Sequence, residues 1–301
     1  MCKRKDETMA SERLPSPLVE TTWLAERLNE PNIRVIDSTV FFQPSPSGGV
    51  SIESGRRAWE GGHIPGSAFA DLIETFSPPS PALLFTLPSA ERFAAGIEGL
   101  GISEDVCVIV YDQGYTTWAT RFWWLLRTFG FDHAAVLNGG WKKWTLENLP
   151  ISTETSPFAC GHFAPKPRPE LIATKDEVLA AMNDGGTCLI NTLSPGQHAG
   201  RIPVVSNGRR GHIPSSVNVP AGALVDPTTN AYLPLEHLQA KLAQVGATTA
   251  NKVITYCAAG IDATSDAFIL TLLGVPDVTV YNGGLVEWSA DPDLPLETGT
   301  D

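Results

Sequence analysis

The chain repeats itself, and the repeat restricts its architecture more than any other feature. GHIP occurs at 62–65 and again at 211–214, CVIVY at 107–111 is answered by KVITY at 252–256, and AVLNGGWKKW at 135–144 returns as TVYNGGLVEW at 279–288. The three landmarks keep their order at spacings of 149, 145 and 144 residues. Such self-similarity marks one supersecondary unit used twice. A length of 301 residues suits two such units, since roughly 100–200 residues suffice for a domain with its own core.

Each copy alternates short apolar runs with amphipathic stretches. In the first, 33–37, 106–112 and 134–138 read as buried strands, and 89–101 and 119–130 as helices that stop at glycine. In the second, 187–191, 253–257 and 278–282 read as strands, and 174–185, 235–246 and 261–274 as helices. Strands that alternate with helices make right-handed crossovers, hence an α/β class in which each parallel sheet carries helices on both faces. The expected division is a polar tail at 1–17, a first domain at 18–156, a proline-rich linker at 157–170 and a second domain at 171–301.

Hydrophobic residues make up 43% of the chain and charged residues 18%, which excludes a disordered polymer. A formal net charge of −12 argues against wrapping nucleic acid or lying on anionic lipid. The five cysteines, at 2, 107, 160, 188 and 257, form no C-x-x-C pair, so neither a disulfide framework nor a metal site is expected. The first residues are polar and lack an apolar core, and no stretch reaches the ~18 apolar residues of a membrane span. A soluble, cytoplasmic protein is expected.

Features shared by both copies read as architecture, and features held by one copy as candidates for chemistry. His63 and His212 of the GHIP turns, the Asn-Gly-Gly turns, and Trp144 and Trp288 belong to the first group. After the shared Tyr the copies diverge, to Asp112-Gln113-Gly114 in one and to Cys257-Ala258-Ala259-Gly260-Ile261-Asp262-Ala263 in the other. Ligands of open parallel sheets bind beyond the carboxyl ends of the strands, which is where Cys257 falls. A helix follows within a few residues, so the amides of 258–263 are expected to curl around the sulfur and lower its pKa. Cys107 and Cys188, inside apolar runs, read as core. Arg201, Arg209 and Arg210 stand near the second GHIP as clamps for an anionic substrate. Asp262 reads either as a first-turn helix acid or as a carboxylate that faces the pocket, raises the thiol pKa and disfavours a dianion.

In this combination the motifs resemble the two-domain rhodanese family, the thiosulfate and 3-mercaptopyruvate sulfurtransferases, over residues 18–299. The resemblance implies two tandem rhodanese-like domains, the first catalytically silent and the second catalytic. It implies that Cys257 accepts a sulfane sulfur as a persulfide from a small anionic donor and passes it to a thiophilic acceptor such as cyanide, a thiol or a protein thiol, without metal or organic cofactor. It also aligns Arg201 with the family's substrate arginine, with Arg209 preferred over Arg210 as the second. The chain departs from the family in having Ala258 and Ala259 in place of cationic or Gly-Ser pairs, Glu53 and Ser54 rather than an aspartate upstream of His63, and Asn191 closing the second copy's first strand. Other readings fit less well. A phosphatase loop of Cys-x5-Arg would need arginine at Ala263, and a cysteine hydrolase would need His212 or His237 as base. A catalytically dead scaffold would use no cysteine chemistry. A sulfur-carrier or binding module that delivers persulfide to a protein partner is the main alternative to an enzyme.

Overall fold

The computed structural model describes residues 14–44, 50–78, 83, 85–155, 158–204 and 208–299. Most of the expected polar tail, Cys2 and the expected boundary at 156–157 lie outside these. The first domain runs β1 (Leu18–Val19), α1 (Thr21–Ala25), β2 (Ile33–Asp37), β3 (Val40–Pro44), β4 (Val50–Ser54), α2 (Arg56–Gly61), β5 (Ala68–Phe69), α3 (Ala90–Gly99), β6 (Cys107–Tyr111), α4 (Thr117–Thr128), β7 (Ala134–Leu137) and α5 (Gly140–Leu146). The second runs α6 (Lys175–Ala181), β8 (Thr187–Asn191), α7 (Pro195–His198), β9 (Val217–Asn218), α8 (Leu235–Gln244), β10 (Lys252–Tyr256), α9 (Asp262–Leu272), β11 (Val278–Tyr281) and α10 (Gly284–Ala290).

Each domain is built on a parallel sheet, ordered β1-β7-β6-β2-β5 in the first and β11-β10-β8-β9 in the second. The central strand β6, CVIVY, is buried at all five positions. Sheets covered on both faces demand such unbroken apolar runs. The expected strands and helices are all present, within a few residues at their ends. The two-residue strands β1, β5 and β9 carry no periodic signal. Among the described residues the antiparallel hairpin β3–β4 has no counterpart in the second domain.

The shared motifs form one device in each copy. The Tyr111 hydroxyl accepts the Ile64 amide (3.3 Å), and the Tyr256 hydroxyl accepts the Ile213 amide (3.0 Å). GHIP is thereby stapled to the end of the central strand. Trp144 and Trp288 are fully buried, and their indole N–H groups donate to the carbonyls of Pro150 and Pro295, both at 2.8 Å.

The domains meet along α4 and α9. Trp123 presents its edge to Phe268 (centroids 4.8 Å, planes at 88°), and the Thr120 and Thr264 hydroxyls share a hydrogen bond of 3.0 Å. The described part of the linker lies along the first domain. Phe163 packs among Phe93 and Phe131, and the Lys166 and Arg168 amides donate to Phe129 O (2.8 Å) and Thr128 O (2.7 Å).

Candidate active site

Cys257 is the first residue past β10, at the carboxyl end of the sheet, and only 2% of it is exposed. The chain then turns through Ala258, Ala259, Gly260 and Ile261 into α9, which Asp262 opens. Gly260 is left-handed (φ +73°), and a Cβ there would lie 2.9 Å from the Asn282 main chain, so glycine is required on both counts. The amides of Ala259, Ile261 and Ala263 donate to the sulfur. Ala258 and Ala259 are partly exposed above it.

The first domain folds a corresponding loop around a carboxylate, with its left-handed residue at Thr116, one register position later than Gly260. Asp112 Oδ1 accepts the amides of Gly114 (2.8 Å) and Thr116 (3.1 Å), and Oδ2 accepts that of Ala119 (2.9 Å). In the register set by Tyr111 and Tyr256, Gly114 and Thr116 correspond to Ala259 and Ile261 of the second loop. The backbone of this turn is therefore an anion cradle, filled by Asp112 in one copy and by Cys257 in the other.

The ionisation of Cys257 departs from the expected lowering. Burial, first, and the Asp262 carboxylate, second, push the thiol up to about 11, against the downward pull of the Ala263, Ala259 and Ile261 amides. Three neutral dipoles do not offset removal from water together with a neighbouring negative charge. Asp262 is itself pushed up to about 6 by burial, moderated by a hydrogen bond with Thr117 of the first domain. It keeps some solvent contact, so the direction matters more than the size. One helical turn further, Asp266 is 0% exposed and neither carboxyl oxygen has a hydrogen-bond partner, so burial, reinforced by Asp262, pushes its carboxyl well above the usual carboxylate range.

A residue absent from the sequence reading completes the site. Arg121 of α4 is 1% exposed and crosses from the first domain to the second. Its Nη1 donates to Gly260 O (3.2 Å) and Asn282 Oδ1 (2.5 Å), and its Nη2 to Phe85 O (2.7 Å). Burial lowers its pKa to about 10, while attraction to ionised Cys257 works to raise it. The guanidinium is thus charged at neutral pH and favours the thiolate. The sequence signal for it is a cation placed directly ahead of the apolar run Phe122–Leu126 of α4.

The arginines near the second GHIP are less uniform than expected. Arg209 donates to the main-chain carbonyls of Asp291 (2.6 Å), Ser289 (3.4 Å) and Leu294, which anchors its segment to the end of α10. Arg201 and Arg210 are exposed, with Arg210 Nη1 reaching Arg201 O at 3.5 Å. His63 is fully buried between the carbonyls of Trp59 (2.7 Å) and Glu154 (3.1 Å), a turn-locking place. His212 is likewise buried against His198 O (2.8 Å), and His237 is exposed on α8. Among the described residues no group of three His, Cys, Asp or Glu side chains is placed to hold a metal ion.

Two α/β units in tandem, with a cysteine cradled at the strand end of only one, define a sulfurtransferase-class architecture. The chain belongs to the rhodanese-like family, whose domain model matches residues 20–147 and 174–291. It is 32% identical to a 3-mercaptopyruvate sulfurtransferase of Escherichia coli over 280 residues, covering 93% of this chain and 97% of that protein. It is also 29% identical to the sulfur carrier protein TtuD of Thermus thermophilus, over 95% of this chain and 98% of that one. The crystal structure of SseA from Escherichia coli, a 3-mercaptopyruvate sulfotransferase, superposes with a TM-score of 0.77 at 30% identity, over 89% of this chain and 98% of that one. With these relatives the chain takes its place among the sulfurtransferases, as its loop implied.

Proposed function

We propose that the second domain, 171–301, transfers a sulfane sulfur through a persulfide on Cys257, and that the first domain, 18–156, is catalytically silent and joined to it by the 157–170 linker. The observation that carries this reading is the matched pair of loops. The turn that holds a carboxylate at Asp112 holds a sulfur at Cys257, so it is built for a negative atom at that point. The Cys257 thiolate attacks the sulfur of a small anionic donor. With 3-mercaptopyruvate the carbon–sulfur bond breaks, the electron pair leaves as the enolate of pyruvate, and that carbon takes a proton. The outer sulfur remains on Cys257, where the amides of Ala259, Ile261 and Ala263 steady its charge. A thiophilic acceptor, cyanide or a thiol, then removes it.

Asp262 beside the sulfur favours monoanionic 3-mercaptopyruvate over dianionic thiosulfate. Arg201 and Arg210 are exposed, whereas Arg209 is half-buried and anchors the end of α10, so Arg201 and Arg210 are the residues we favour for the donor carboxylate. No cofactor is required. Among the described residues no helix is long and apolar enough to cross a membrane. We place the protein in the cytoplasm, where its cysteines stay reduced.

Steady-state turnover with each donor and cyanide tests the proposal. Wild type should turn over many times, and Cys257→Ser should be inactive. The neutral loop at Ala258 and Ala259, and a relative that is a sulfur carrier, support a second reading in which the persulfide is delivered only to a protein partner. Rapid persulfide formation with negligible multiple turnover would select it.

A further inference from the structure

Arg121 is a buried cation whose three acceptors are neutral oxygens, and one of them belongs to the cradle itself. Gly260 O and the Ile261 N–H are the two ends of a single peptide group. In a trans peptide these ends point in opposite directions. A donor that grips Gly260 O from α4 therefore turns the Ile261 N–H toward the far side, where the Cys257 sulfur accepts it. Polarisation runs the same way, since a carbonyl held by a cation makes its own N–H a stronger donor. Glycine at φ +73° leaves this peptide easy to rotate, and the Asn282 main chain packs against it from another side. Asn282 is in turn fixed, its Oδ1 by Arg121 and its Nδ2 by donation to Phe85 O at 3.3 Å.

We propose that Arg121, a residue of the first domain, is a positioning residue for sulfur transfer: it aims the Ile261 amide at Cys257 and supplies the positive charge that stabilises the ionised sulfur. The first domain then contributes chemistry to the second domain's site although its own loop carries none. The ionisable groups that bear on Cys257 are Arg121 on α4 and Asp262 on α9. Arg121 alone among them favours the thiolate. This assignment rests on the reading of Cys257 as the sulfur acceptor.

The test is the pH profile of Cys257 alkylation by iodoacetamide, followed by mass spectrometry in wild type, Arg121→Met and Arg121→Lys. Arg121→Met should lower the rate at neutral pH about tenfold, equivalent to raising the thiol by about one pH unit. Arg121→Lys, which keeps the charge but not the fork, should recover part of that loss. A role in packing alone would leave the pH profile in place. An unchanged profile in folded Arg121→Met, or Lys and Met variants that behave alike, would overturn the proposal. If Arg121→Met does not fold, the wild type decides: the ¹⁵Nη signals of Arg121 should move when Cys257 is converted to a persulfide, and stationary signals would overturn it. Failure of wild type to take up sulfur at all would instead count against the role of Cys257, which alkylation does not probe.

Discussion

The loops 112–121 and 257–266 are two versions of one amide cradle, with the left-handed residue at Thr116 in the first and one register position earlier, at Gly260, in the second. Both begin one residue after a buried Tyr, both turn amides inward onto the first side chain, and both run into the interface helix. In the first, a carboxylate fills the cradle permanently and nothing remains to react. In the second, a thiol fills it, and the amides serve whatever charge the sulfur carries. The accompanying residues also exchange, with Thr117 matched to Asp262 and Arg121 to Asp266. Thr117 meets Asp262 across the α4–α9 contact, while Arg121 reaches past α9 to the Gly260 and Asn282 oxygens. The first copy therefore brings a cation and a hydroxyl toward the Cys257 loop, where the second copy has two acids.

The most severe break of this comparison is to write the first loop into the second. Cys257→Asp together with Asp262→Thr should reduce sulfur transfer at least about a thousandfold, while circular dichroism reports an intact fold. A collapse of the fold would show that the two cradles are not equivalent. Emptying the silent cradle comes next. Asp112→Ala leaves the amides of Gly114, Thr116 and Ala119 without their acceptor. It should cost about 3 kcal/mol of unfolding free energy by urea titration, with turnover per folded molecule little changed.

The smallest effect sharpens the difference between Thr117 and Asp262. Asp262→Asn removes the carboxylate that holds the Cys257 thiol up, so thiosulfate turnover at neutral pH should rise up to about tenfold, one unit of thiol pKa. Unchanged kinetics would reduce Asp262 to a helix-terminus acid. The same variant has a stability signature. The Asp262 carboxyl lies at about 6 when folded, above the ordinary aspartate value of 3.8. The folded state thus holds the proton more tightly, and the stability this provides is fully present below the unfolded pKa and is lost as pH rises through about 6. Replacing the group should flatten that decline by at most about 3 kcal/mol, less whatever its partial exposure screens.

How much of this was legible beforehand follows from which forces act locally. The central strands, the interface helices and the repeat could be read because continuous apolar runs, glycine stops and recurring motifs are local signals. Cys257 stood out because it replaced Asp112 at an aligned position. The electrostatics were not legible. The cradle amides pointed toward a lowered thiol pKa, yet the depth of burial that opposes them depends on tertiary cover that no local pattern records. Arg121 was hidden for the same reason, since its partners Gly260, Asn282 and Phe85 lie 139, 161 and 36 residues away. Its alignment with Asp266 was nonetheless present in the repeat. The engagement of Arg209 likewise depends on a chain reversal, 80 to 85 residues later, that brings Ser289 to Leu294 beneath it.

One measurement bears most directly on the assignment of Cys257: intact-mass and peptide-level spectrometry after brief exposure to 3-mercaptopyruvate. A single sulfur atom, about 32 Da, should appear per chain, reside on the peptide containing Cys257, and vanish on addition of cyanide. Sulfur found only on Cys107, Cys160 or Cys188, or no adduct on a folded protein, would contradict it.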